Sequence, residues 1–351
     1  MLYLDNQAAV LTSLQTIEIQ DRPMPKISES EVLVKIEYCG VCGSDVHFFE
    51  DGCIGARQVV YPQVLGHEAS GEIVTVGKNV KHLQPGAKVV IEPGIPCGHC
   101  EFCREGRYNL CPDLVFVSCP PHDGLMSKYV AMPASMVYPL PEGVTTLEGS
   151  LMEPLAVGVY AARRGEVGPN QTVVILGAGC IGLCTLLACK QRGASRIIIC
   201  DLFQNRLDRA KELGADELIN ASECDSVQRI LDLTGGQGAH VVFETAGNRH
   251  TAAQTTELVR RGGQIVMVGN IIGDVAFNFR NLALKEADVK TIWRYRNVFP
   301  ETADMIATGS IQREALGSIV DGLFEFEDTQ KAFMTAMTDK LNVVKAVVHI
   351  G

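Results

Sequence analysis

Beyond Pro154 the chain settles into one rhythm, and that rhythm limits the fold more than anything else in the sequence. Apolar runs TVVIL (172–176) and RIIIC (196–200) are each followed by a helical stretch, the first reaching Arg192 and the second, QNRLDRAKELG, stopped by Gly214. ELIN, the helical SVQRILDLTGG, HVVFE, the helical TAAQTTELVRRGG and QIVMVG continue the alternation, and a last strand, VKTIW (289–293), closes it. Strands separated by helices of this length predict right-handed crossovers and a doubly wound parallel sheet, an α/β domain.

The first half reads differently. AAVLTSLQTIEI, EVLVKIEY, GEIVTV, AKVVIE and SKYVAM are short β-rich segments divided by Pro, Gly and Asn, the pattern of a mainly antiparallel, partly closed β domain with little helix. At 351 residues one core would outgrow its stable size, so two domains are expected. The boundaries fall at 1–155 with 294–351 for the β domain, the C-terminal segment returning to it, and at 156–293 for the parallel sheet. A lobe at about 94–113 belongs to the first.

Composition excludes other classes. A 46% apolar content with 34 scattered glycines is incompatible with a disordered or collagen-like chain. A net charge of −10 argues against a nucleic-acid partner, which needs a concentrated basic face. The start, MLYLDNQAAVLTS, shows neither the basic nor the apolar part of an export signal. The apolar stretch Val173–Cys189 falls short of the roughly 20 residues of a membrane span and is interrupted by Gly177, Gly179 and Gly182. Thirteen cysteines in such a chain are expected to be reduced thiols or metal ligands, in a cytoplasmic enzyme without a membrane partner.

Two motifs carry chemistry by themselves. Gly177-Ala-Gly179-Cys-Ile-Gly182 lies between a strand and a helix, where glycines permit a tight turn, close approach of a pyrophosphate and helix–strand packing. Asp201 ends the second strand, 24 residues beyond Gly177, where its carboxylate can accept from the adenosine ribose hydroxyls; it favours NAD, because a 2′-phosphate would meet a like charge. Arg206, on the next helix, is either an adenosine contact or a solvated side chain. The second motif is Cys97-x2-Cys100-x2-Cys103-x7-Cys111. Four thiolates on one short lobe can close a tetrahedron around zinc and leave no place for water, so this site is structural. Its longer gap matches no common ferredoxin spacing.

Further candidate ligands are Cys42 in CGVCGSDVH, His67 and Glu68 in LGHEASGEIVTVG, and Glu153 in SLMEPLAVG; singly, each is equally at home in an ordinary core or on a surface. Together, and in this order with GAGCIG and the late WRY, the motifs resemble the medium-chain, zinc-dependent alcohol dehydrogenase superfamily and, within it, the sorbitol (L-iditol) and xylitol dehydrogenases. The resemblance covers essentially the whole chain and implies a GroES-like β domain that carries catalysis beside a Rossmann domain that binds NAD. It matches Cys42, His67 and Glu68 to the ligands of a catalytic zinc. Glu153, where simple alcohol dehydrogenases have a second thiolate, is matched to a contact with the metal or its water, and which of the two glutamates bonds zinc directly stays open.

By the same resemblance, Ser44 and His47 are relay candidates for the substrate proton, with Glu153 a further acceptor. Arg294 and Tyr295 match a pair that touches substrate hydroxyls and, through Arg294, the nicotinamide side. Gly269 and Asn270 match the nicotinamide-side loop, and Ile181 belongs to the phosphate loop. The implied activity is hydride transfer between a polyol of xylitol or sorbitol type and NAD, giving the ketose, with one catalytic and one structural zinc per chain and a homo-oligomer, in many relatives a tetramer. Phe48 stands where sorbitol dehydrogenases commonly have a substrate-contacting tyrosine, and Arg296 adds a positive charge beyond the Arg-Tyr pair. A polyol phosphate or an amino alcohol such as threonine is therefore the alternative substrate. A non-catalytic regulator that binds NAD and zinc is the alternative function, against which the full set of open-site ligands stands.

Overall fold

The computed structural model describes residues 5–351; the first four residues, part of the start inspected for an export signal, lie outside the described residues. The chain divides into two units. One comprises the residues through Glu153 with Phe299–Gly309 and Leu316–Gly351; the other comprises Pro154–Val298 with Ser310–Ala315.

The second unit holds a six-stranded sheet in the order Glu217–Asn220, Arg196–Asp201, Thr172–Leu176, Ala239–Glu244, Val259–Met267, Asp288–Thr291, with every pairing parallel. Val173, Val174, Ile198 and Val242 are fully buried, as the unbroken apolar runs require of strands covered on both faces. From Thr172–Leu176 the chain first builds outward on one side, then returns to build the other side starting at Ala239–Glu244. Between those two adjacent strands lies the switch point, where the crevice of a doubly wound sheet opens at the carboxyl ends.

Two element boundaries in this sheet differ from the sequence expectation, and residues 294–298 and 310–315 lie in this unit and not with the β domain. The closing strand is Asp288–Thr291, leaving Trp293 beyond it and half exposed. The helix read into TAAQTTELVRRGG runs from Arg249 to Leu258, and Val259 already begins the next strand, paired with Ala239. Val259 is β-branched and fully buried, and two glycines follow it, Gly262 with φ of 65°. Those features favour an extended chain over another helical turn.

The first unit is built on a seven-stranded sheet. Its main path runs Val137–Pro139, Lys88–Ile91, Glu68–Val76, Glu31–Gly40, Ala346–His349, Gly322–Glu325, and Tyr129–Pro133 also pairs with Glu31–Gly40. The last strands of the chain thus return to this unit, the final one lying antiparallel to Glu31–Gly40. The run AAVLTSLQTIEI is a hairpin of Asn6–Ser13 and Thr16–Arg22, turning at Gln15 with φ of 57°. Val34, Ile36, Phe49, Ile91 and Phe333 form part of a fully buried core. Strand register does the positioning: Gly40 sits opposite Glu68, so the chain leaving one strand toward Cys42 passes the start of the other.

Candidate active site and metal centres

Cys42 caps the helix Gly43–Asp51, and Glu68 begins the strand Glu68–Val76 with His67 immediately before it. Ligand atoms of Cys42, His67 and Glu68 all lie within 4.8 Å of one another. His67 and Glu68 are buried, at 5% and 1% exposure. Behind the imidazole, Nδ1 of His67 lies 3.3 Å from Oδ2 of Asp45, which leaves Nε2 as the nitrogen for an ion. Asp45 is itself fixed: its carboxylate accepts from Ser118 Oγ at 2.6 Å, Gly66 N at 3.3 Å and Cys42 N at 3.3 Å.

The electrostatics describe a site short of positive charge. Burial works against a charged ring at His67, but Asp45 and Cys42 outweigh it and raise its pKa well above the ordinary value. Burial likewise works against Asp45, yet His67, Ser118 and Gly66 hold that carboxyl below its usual range. On the far side, the Lys345 ammonium is 3% exposed, pairs with Glu68 Oε2 and donates to Val41 O at 3.1 Å. A thiol, an imidazole and a carboxylate gathered in this way, the imidazole oriented from behind, fit a zinc ion with three protein ligands.

Of the other expected residues, Ser44 is partly buried, and His47, 42% exposed, has Nδ1 3.3 Å from Asp51 Oδ2. Glu153 is 4% exposed in the first turn of the helix Met152–Arg164. Among the described residues the three-ligand group closes on Glu68 and does not extend to Glu153. Phe48 is 4% exposed and packs in the apolar core of its unit.

The four cysteines also converge. Cys97, Cys100, Cys103 and Cys111 bring their sulfurs within 4.8 Å of one another, with Cys100 and Cys103 3.3 Å apart, and none is in a disulfide. The N–H groups of His99 and Cys100 draw the Cys97 thiol down to about 6, whereas burial pushes Cys103 up to about 12. The helix Glu101–Arg104 buries no residue, and the turn Tyr108–Leu110 buries only Asn109. Such a lobe has no apolar core of its own, and the four-thiol set fits a structural zinc that would hold it. Tyr108 OH ties it to the buried Glu92 at 2.7 Å.

In the second unit, Gly177 turns at φ of 109°, and Gly179 caps the helix Cys180–Gln191, whose second residue, Ile181, is partly buried. Gly182 admits no side chain, because a Cβ there would lie 1.9 Å from the Gly177 carbonyl oxygen. Asp201 ends its strand with Oδ2 accepting from Ala178 N at 2.7 Å and Oδ1 from Phe203 N at 3.0 Å. Arg206 stacks on Phe203 at 5.1 Å and borders Gly179. Gly269 N donates to Glu244 O at 2.9 Å, and Asn270 is exposed. Arg294, with φ of 54°, stacks on Trp293 at 5.1 Å; Tyr295 is 3% exposed; Arg296 lies over the Tyr160 ring at 5.6 Å.

Sequence reasoning passed over Asp45, Ser118, Lys345 and Glu244. Asp45 had a usable signal, a carboxylate three residues after a ligand in the first turn of a helix. Ser118 and Lys345 are placed by pairings 73 and 277 residues from their partners Asp45 and Glu68, and nothing local marks them.

The family described as alcohol dehydrogenase GroES-like domain matches residues 28–142, and that described as zinc-binding dehydrogenase matches residues 180–308. A sorbitol dehydrogenase of Bacillus subtilis strain 168 is 38% identical over 98% of this chain and 97% of its own length. An uncharacterised zinc-type alcohol dehydrogenase-like protein of Escherichia coli K12 is 42% identical over 99% of this chain and 100% of its own. The crystal structure of a candidate zinc-binding dehydrogenase of Sinorhizobium meliloti 1021, bound to NADP, superposes with a TM-score of 0.91 at 28% identity, covering 99% of this chain and 100% of that one. With two domain families in their places and relatives matched end to end, the chain belongs to the zinc-type medium-chain alcohol dehydrogenases.

Proposed function

We propose that this protein is an NAD-dependent polyol dehydrogenase, exchanging a hydride between a secondary alcohol of xylitol or sorbitol type and the nicotinamide ring to give the ketose. The observation that carries the proposal is the buried convergence of Cys42, His67 and Glu68, with Asp45 behind the imidazole. Zinc bound there supplies Lewis acidity that lowers the pKa of a coordinated hydroxyl. The family's simple-alcohol members are matched with a second thiolate where this chain has Glu153, and a carboxylate set suits a polyhydroxy substrate with a water nearby.

The remaining roles fall to named side chains. Ser44 takes the hydroxyl proton, and His47, 42% exposed and paired with Asp51, hands it to bulk water. Glu153 is a second acceptor. Arg294 and Tyr295 donate hydrogen bonds to the row of substrate hydroxyls. Gly177, Gly179, Ile181, Gly182 and Asp201 receive the adenosine and pyrophosphate half of NAD, and Asp201 disfavours a 2′-phosphate. Arg206 beside it is the counterweight that a phosphate would use, so both cofactors belong in the test. The four-cysteine lobe takes a second, structural zinc. The resemblance supports assembly as a homo-oligomer, a tetramer by preference, and thirteen free thiols support a reducing cytoplasm. Among the described residues, no helix is long and apolar enough to cross a membrane.

The test is reduction of NAD+ and NADP+ with xylitol, sorbitol, galactitol 1-phosphate and threonine, each with and without a chelator. The proposal expects turnover of an unphosphorylated polyol with NAD+ and its loss on chelation. Preference for threonine or the phosphate ester, or rates indifferent to chelation, would overturn it.

A further inference from the structure

Glu244 ends the strand Ala239–Glu244, the neighbour of Thr172–Leu176 across the switch point, and is 0% exposed. Its Oε1 accepts from Thr251 Oγ1 at 2.8 Å, Ala246 N at 3.1 Å and Asn248 N at 3.4 Å. Its Oε2 is buried and has no hydrogen-bond partner among the described residues. Its backbone carbonyl accepts from Val268 N and Gly269 N, each at 2.9 Å. One buried residue therefore holds both the turn after its own strand and the loop after the next strand. Burial pushes the carboxyl above its ordinary range in spite of those donors.

The surroundings leave the held segments little freedom. A Cβ on Gly269 would lie 2.3 Å from Gly247 N and 2.5 Å from Glu244 Oε2, so only glycine lets the two loops close over the carboxyl. On the other side, a Cβ on Gly177 would lie 2.9 Å from Ala246 N, so the same turn also abuts the phosphate loop. Asp201 stands at the end of a strand on the far side of the switch point and marks the adenosine half of the crevice. The half above Ala239–Glu244 and Val259–Met267 is left for the nicotinamide mononucleotide.

We infer that Glu244 is a positioning residue for the nicotinamide half of the cofactor: by gathering Ala246, Asn248 and Thr251 onto one buried oxygen, it sets the 246–248 turn against Gly269 and Asn270 and shapes the floor beneath that half. The inference rests on the proposed binding of NAD by this unit. It concerns a side chain that touches no ligand and acts through backbone it holds in place. A neutral amide of the same size can keep the accepting oxygen, so Gln is the conservative replacement and Ala the disruptive one.

The experiment compares the affinity of the full chain for NADH, by fluorescence, and for ADP-ribose, by calorimetry, in wild type and in Glu244→Ala, Glu244→Gln and Thr251→Val. Glu244→Ala should weaken NADH about tenfold and Thr251→Val about threefold, with ADP-ribose kept within about twofold and Glu244→Gln close to wild type. If Glu244→Ala does not fold, Thr251→Val and Glu244→Gln carry the test. Equal weakening of both ligands, no weakening of either, or a Gln variant as impaired as Ala would overturn the role of Glu244. A wild-type chain that binds neither ligand would instead overturn the assignment of the unit to NAD.

Discussion

Replacing Lys345 with Met removes a buried ammonium while nearly conserving volume, and its consequence depends on whether an ion sits at Cys42, His67 and Glu68. Lys345 and Glu68 are 3% and 1% exposed, so the metal-free variant strands a buried carboxylate, a loss of about 3–5 kcal/mol. With zinc present, Glu68 keeps a cation on its other side. What then remains is the lost bond to Val41 O, 3.1 Å in the wild type, worth about 1–2 kcal/mol. The difference of about 2–3 kcal/mol must appear as tighter metal binding, roughly 30- to 150-fold. Competition against a chromophoric chelator measures it directly, with the four-cysteine site as an internal reference that should not change. Zinc affinity is a better readout here than one unfolding midpoint, because two units need not unfold together. An unchanged or weakened affinity in Lys345→Met, with Lys345→Arg like wild type, would refute the idea that ammonium and ion compete for one carboxylate.

Cys103→Ser should release one zinc per chain by elemental analysis and raise proteolysis confined to residues 97–111, since the lobe has almost no buried apolar residues to hold it; full metal content would contradict the structural assignment. Asp201→Ala should raise the NAD+ KM about tenfold while leaving that for NADP+ nearly unchanged, and an equal rise in both would remove the ribose argument. Glu92, whose burial lifts its carboxyl above the ordinary 4.5, stabilises the fold in its protonated form. That contribution is complete below pH 4.5 and fades as pH rises through the raised value. In urea titrations wild type should therefore lose stability relative to Glu92→Gln as pH rises from 4.5 toward 7, and a relative gain would reverse the sign.

The parallel sheet was legible because its strands are buried on both faces and leave unbroken apolar runs, as at Val173–Leu176 and Ile197–Cys200. Boundaries were less so. The helix in TAAQTTELVRRGG ends at Leu258 because Val259 finds a strand partner in Ala239, and that pairing has no local trace. In the open site, Cys42, His67 and Glu68 stood out only through the family resemblance of their motifs, and the supporting cast did not: Asp45 lay unremarked beside a ligand, and Lys345 comes from the far end of the chain.

The sequence alone determined which chemistry is available, because a thiol quartet on one lobe and a glycine loop between strand and helix act through neighbours a few residues apart. Only the tertiary structure decided which charges oppose each other. The register that sets Gly40 against Glu68 and returns Ala346–His349 to the same sheet brings Cys42, Glu68 and Lys345 together in a buried place. There water no longer screens them, and what each group costs or contributes is set by partners hundreds of residues away.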